Sequence, residues 1–95
     1  MSGLLEGEVV SIAKNGNFVT NFTAEQLSDV PRGDETRVAC DEYETLNIFP
    51  AEHGQPDSTF LAMIGESGFL ELGIVGIPAA DMLEIKVGDK VKIQW

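Results

Sequence analysis

The stretch Lys14-Asn15-Gly16-Asn17 constrains this chain more than any other. It combines a turn signal with an immediate switch to strand-like residues, Phe18-Val19-Thr20-Asn21-Phe22. Asn-Gly is the strongest short-range hairpin signal, because both residue types tolerate the positive φ that tight hairpin turns need. On its N-terminal side lies Glu6 to Ala13, with β-branched Val9, Val10 and Ile12. The two runs are therefore read as a hairpin, with Asn15 and Gly16 at its centre. Such a hairpin cannot bury a face alone, so it predicts further strands to pack against it.

Those strands are legible downstream. Arg37 to Asp41, Thr45 to Phe49, Thr59 to Ile64, Phe69 to Ile74 and Val91 to Trp95 are short runs rich in apolar residues, separated by turn chemistry. Pro50 to Asp57 is a loop with two prolines and a glycine, Gly65-Glu66-Ser67-Gly68 is a turn, and Val87-Gly88-Asp89-Lys90 another. Two pieces read as helical turns. Thr23 precedes Gln26 by the spacing of a capping box, and Pro78 opens Ala79-Ala80-Asp81-Met82-Leu83 as a first helical residue. Ninety-five residues are enough for one domain with a core of its own, here residues 1–95. Six or seven short strands, one or two helical turns and no long helix predict an all-β barrel or sandwich.

Charge narrows the partners. Sixteen acidic and six basic side chains give a net charge of −10. Binding to nucleic acid or to an anionic membrane surface draws on cationic side chains, so neither partner is expected. No apolar run reaches membrane-spanning length, and no basic segment precedes an apolar one near the N-terminus, so a cytoplasmic location is expected. The acidic groups Asp29-Asp34-Glu35 and Asp41-Glu42-Glu44 lie in hydrophilic stretches and read as solvated edges that oppose strand-to-strand aggregation.

Chemistry-bearing residues are sparse. Cys40 is the sole cysteine and His53 the sole histidine, too few soft ligands for a structural zinc site. Cys40 sits beside Asp41, where a thiolate is disfavoured, and reads as strand packing. His53 lies in the Pro-Gly loop and reads as solvated. Ser67 is not in a nucleophile elbow, and no calcium loop is present. Glu71 falls between Leu70 and Leu72, and simple alternation points it outward. Glycines 68 and 73 suit either a bulge or close approach to a flat ligand. No catalytic residue, metal or cofactor is expected.

A resemblance sharpens this reading. Gly16-Asn17-Phe18-Val19-Thr20-Asn21, then Ser67-Gly68-Phe69-Leu70-Glu71-Leu72-Gly73, Pro78-Ala79-Ala80 and Val87-Gly88-Asp89-Lys90-Val91 occur in the order seen in the C-terminal domain of S-adenosylmethionine hydroxide adenosyltransferases and their fluorinating relatives. The chain is similar to that domain alone and not to the larger domain that activates water, which implies a standalone barrel without its own catalysis. The resemblance implies a Greek-key β-barrel, which the strand pattern by itself does not separate from a sandwich. It also implies a site for an adenine-containing small molecule. Asn17 falls on the family's purine-contacting asparagine, beside Gly16. Ser67 and Gly68 fall in the turn next to the pocket, and Ala79 and Ala80 on small residues near the base.

The departures lie on the amino-acid side of that ligand. The aspartate that the family carries shortly before the asparagine is replaced by Ala13 or Ile12. The residue before the glycine is Asn15 rather than an aromatic, and Glu66-Ser67 stands where the fluorinating branch has Ser-Arg. The adenine half is partly kept, then, and the methionine clamp is not. The alternative is an assembly module, self-associating or bound to a separate protein, since the family's barrel packs against neighbouring subunits.

Overall fold

In the computed structural model, which describes residues 3–95, the β-branched run near the N-terminus forms a long strand, β1 (Leu4–Ile12). It is followed by β2 (Phe18–Thr23), β3 (Arg37–Cys40), β4 (Tyr43–Leu46), β5 (Phe60–Ile64), β6 (Phe69–Ile74), a short helix α1 (Ala79–Met82) and β7 (Lys90–Gln94). The sheet order is β4-β3-β7-β1-β2-β6-β5, antiparallel throughout, and it curls into a nearly closed barrel. β1 is long because it serves both halves: Leu4 to Glu8 pair with β7, and Val9 to Ile12 pair with β2. The barrel expected from the sequence is thus the fold observed.

The seam between β4 and β5 closes without a ladder of its own. Thr45 Oγ1 donates to the Phe60 carbonyl at 3.1 Å, and Tyr43 and Phe60 meet edge to face with ring centroids 6.3 Å apart. Phe49, beyond the end of β4, donates to the Ala62 carbonyl and accepts from the Ile64 amide, at 2.9 and 3.0 Å.

Alternating residues of the strands fill the interior, among them Val9, Phe18, Val38, Leu70, Leu72 and Ile93, all with at most 1% exposure. Leu27, Val30, Ile48 and Ile85, contributed by the loops, complete the core. Each such side chain contributes about 1.5–3 kcal/mol on burial. Cys40 packs in this core, as expected from the sequence, and its thiol is pushed up to about 11, by burial first and then by the charges of Asp89 and Asp41.

Two bulges bend the barrel wall, and the polar pair Thr20-Asn21 services both. Between Val19 and Thr23 the β2 strand advances four residues while β6 advances two, from Glu71 to Phe69. The fully buried Thr20 hydroxyl bridges the gap: it donates to the Leu70 carbonyl at 2.8 Å and accepts from the Phe22 amide at 3.3 Å. On the other side of β2, the register between β1 and β2 shifts between Val9 and Ser11, and Asn21 Oδ1 accepts from the Glu8 amide at 3.0 Å. Backbone groups that a regular ladder would have paired are satisfied by side chains instead.

Several local expectations change. The β1–β2 connection is not a two-residue turn. The Gly16 amide donates to the Ala13 carbonyl and the Ala13 amide to the Asn17 carbonyl, at 2.9 and 2.8 Å, and of the Asn-Gly pair only Gly16 has positive φ, at 90°. This is the three-residue loop in which a turn is followed by a left-handed glycine. The fourth strand ends at Leu46, not Phe49, because Asn47 takes φ 74° and its Oδ1 accepts from the Gly33 and Ile48 amides. The Thr23–Gln26 capping box forms reciprocally, with Gln26 Oε1 accepting from the Thr23 amide at 2.8 Å and Thr23 Oγ1 from the Gln26 amide at 3.1 Å. The chain beyond this box forms a run of turns rather than a helix. Pro78 caps α1 from outside instead of opening it.

Candidate functional site

The site forms on the outer face of β2, β5 and β6, where strand alternation would place solvent. Phe18, Leu72 and Ala62 pair across the three strands and face the core. The opposite parity puts Val19, Glu71 and Met63 side by side on the outside, with Leu61 and Gly73 next to them. That outer face is covered: Val19, Leu61, Glu71 and Gly73 are all buried.

Glu71 corrects the sequence expectation most sharply. It lies on the outward face, as alternation predicts, but it is not solvated: it is only 5% exposed. Each of its carboxylate oxygens accepts a hydrogen bond. Asn17 Nδ2 donates to Oε1 at 3.1 Å, and Ser67 Oγ donates to Oε2 at 2.8 Å. A carboxylate removed from water needs such partners. This central strand receives them from 54 residues upstream and from its own preceding turn.

Asn17, at the start of β2, is 8% exposed. Its side chain lies against Gly73, whose lack of a Cβ makes room for the amide. Its own amide N–H is held by Asn15 Oδ1 at 3.1 Å. Behind it, Pro78 rests on Gly16, and the Ala80 amide donates to the Gly16 carbonyl at 2.9 Å, which ties α1 to the hairpin turn.

A cleft of about 420 Å³ opens beside Asn17. Leu61, Met63, Gly73 and the segment 74–78 line it together with Asn15, Asn17 and His53, so that polar and apolar surface are nearly balanced. The volume is in the range of small-molecule sites, about 300–1,000 Å³. His53 Nδ1 accepts from the Gln55 amide at 2.9 Å, which leaves the proton of the neutral ring on Nε2.

Of the residues singled out in the sequence, Asn17 lines the cleft. Gly16 and Ala80 support it through the backbone bond just described, and Ala79 is fully buried in the core. Ser67 reaches the site through Glu71, whereas Gly68 occupies an open turn with φ 82°. His53 and Glu71 were not among the expected site residues. Nothing local marks a loop histidine as cleft-lining. For Glu71 the available signal was a lone acid inside an apolar strand run. Among the described residues no group of three or more His, Cys, Asp or Glu gathers as a metal site, and no helix is long and apolar enough to cross a membrane.

Residues 7–92 match the model of the SAM hydroxide adenosyltransferase C-terminal domain. The chain belongs to that family. The match takes in Gly16-Asn17, Ser67-Gly68, Glu71 and Ala79-Ala80, and so the whole Asn17–Glu71–Ser67 cluster of this adenosyltransferase-type domain. Among solved structures, the domain is similar to an uncharacterised conserved protein from Thermotoga maritima, with 27% identity and a TM-score of 0.76 over 95% of this chain and 35% of that one. A conserved hypothetical protein from Thermus thermophilus, 22% identical, shares the fold with a TM-score of 0.70 over 93% of this chain and 34% of its own. The domain thus spans about a third of the length of these structures. No curated protein matches it.

Proposed function

We propose that this domain binds the adenine end of an adenosine- or S-adenosylmethionine-type ligand in the cleft beside Asn17. The observation that carries the reading is the Asn17 amide: nearly buried, anchored on Glu71, and bordering a cleft of mixed polarity large enough for a small molecule. An amide offers one donor and one acceptor side by side, the pattern that pairs with an adenine edge. Leu61, Met63 and Gly73 give a flat ring an apolar surface. Family membership supports the choice of ligand class. The amino-acid end of the ligand lacks its clamp, since Ala13 and Ile12 carry no charge and Glu66 would repel a carboxylate. S-adenosylmethionine is accordingly expected to bind no more tightly than adenosine. Titration with adenosine, followed by NMR, tests the reading. Shifts are expected at Asn17, His53 and Gly73, with loss of binding in Asn17→Ala, and an unchanged spectrum at millimolar adenosine would overturn it.

A second reading, an assembly module, draws on exposed apolar residues. Val10 and Ile12 on β1 are 46% and 48% exposed, and Val87, near Val9 through the Gly88–Val9 backbone bond, is 58% exposed. Under this reading another copy of the domain covers this exposed apolar patch. Sedimentation that finds a dimer dispersed by Ile12→Lys supports it, and a monomer at high concentration removes it.

A further inference from the structure

An asparagine amide has two unlike ends, and the end that faces a ligand decides what is recognised. In Asn17 that choice is made by Glu71. Nδ2 donates to Glu71 Oε1 at 3.1 Å, and a carboxylate oxygen only accepts. Turned over by half a rotation, the amide would set Oδ1 against Oε1, two acceptors with no proton between them. Both residues are more than nine-tenths buried, where such a contact is poorly screened. Glu71 itself is pinned, by Ser67 Oγ on Oε2 and by the backbone of Gly65 packed against the carboxylate. Oδ1 of Asn17 has no donor among the described residues, yet it is not sealed from solvent, and Gly73 of the cleft wall lies against it.

Resting on the reading that the cleft takes a purine nucleoside, we infer that Glu71 is a positioning residue that makes this site select 6-amino purines and reject 6-oxo purines. With Glu71 in place the cleft receives the Asn17 acceptor and one remaining Nδ2 proton. An exocyclic amino group donates to Oδ1 while a ring nitrogen accepts from Nδ2. A 6-oxo purine offers a carbonyl where the amino group stood, and the two oxygens repel. Without Glu71 the amide is free to turn over and present its donor to that carbonyl. The specificity is thus held one residue away from the ligand.

The test compares adenosine, purine riboside (no group at position 6) and inosine by NMR titration, against wild type and Glu71→Gln. Wild type is expected to bind adenosine on the order of tenfold or more tightly than inosine, with purine riboside between them. Glu71→Gln supplies a side-chain amide that can donate to Oδ1 as well as accept from Nδ2, so the adenosine preference should collapse to within about threefold. A merely structural role would weaken the ligands together and leave the ratio standing. Adenosine binding with an unchanged ratio in Glu71→Gln overturns this inference and leaves the proposed function intact. Binding of no nucleoside by wild type overturns both. If Glu71→Gln does not fold, the wild-type order still decides, and inosine binding as tightly as adenosine refutes the inference.

Discussion

Gly73 lies so close against Asn17 that a methyl group at position 73 would overlap the amide oxygen and its carbon. The glycine on β6 and the asparagine at the start of β2 share one wall of the cleft, and each shapes the space of the other. The obstacle is a side chain rather than backbone, so the conflict falls on the Asn17 amide and through it on Glu71.

Gly73→Ala is therefore expected to fold but to push the Asn17 amide off Glu71. The loss of stability should be about 1–3 kcal/mol, the usual range for overpacking and for a buried polar group that loses its partner. Adenosine affinity should fall with it. Urea denaturation and a nucleoside titration check the two effects, and wild-type behaviour in both would show that the amide is not held as described.

Thr20→Val tests the bulge on β2. The swap keeps the shape of the side chain and deletes the hydroxyl that joins the Leu70 carbonyl to the Phe22 amide. Both backbone groups then lose a partner in a fully buried position, and a destabilisation of about 1–3 kcal/mol is expected in chemical denaturation. Asn21→Ala removes the partner of the more exposed Glu8 amide and should cost less, because water can replace Oδ1.

Cys40 predicts a loss of stability at alkaline pH. Its thiol is raised in the folded state from 9.0 to about 11, chiefly by burial and further by Asp89 and Asp41. Above pH 9 the unfolded chain gives up the thiol proton while the folded chain keeps it, so the unfolded state binds fewer protons and stability falls as pH rises. The contribution is intact below pH 9 and is lost progressively between 9 and about 11, a change on the order of 2 kcal/mol. Cys40→Ala should flatten that part of the profile. Native protein at about pH 8 should react with iodoacetamide far more slowly than protein in denaturant, and equal rates would contradict the burial of the thiol.

Much of the fold was legible because it rests on local chemistry. The hairpin around Gly16, the Thr23–Gln26 capping box and the break at Pro50 to Asp57 each depend on residues within a few positions of one another. Turn geometry was less legible than turn position. A three-residue loop places the Gly16 carbonyl where the Ala80 amide meets it, a requirement set 64 positions downstream and absent from Asn15-Gly16 itself. The end of β4 was missed for a similar reason: Leu46-Asn47-Ile48-Phe49 has strand-like composition, and Asn47 leaves the strand because it caps the Gly33 and Ile48 amides.

By itself the sequence determined that the chain is built of short strands, that its thiol is packed away, and that Asn17 stands at the turn where a family resemblance places a base contact. The first two follow from residue type, alternation and spacing, which act over a few residues, and the third is what the resemblance implies. Tertiary structure alone decided that Glu71 and Gly73, on the outer face of β6, are buried. Alternation rightly sends Glu71 to the face opposite Leu70 and Leu72, but whether that face meets water depends on what lies over it. Here Asn17 arrives from β2 and Ser67 from the preceding turn, and between them they occupy both oxygens of the carboxylate. His53 likewise becomes a cleft residue only because its loop reaches the wall formed by Leu61, Met63 and Gly73. Proximity of that kind is a property of the sheet's topology, which sets β2 beside the β6–β5 pair although it lies far from them in sequence.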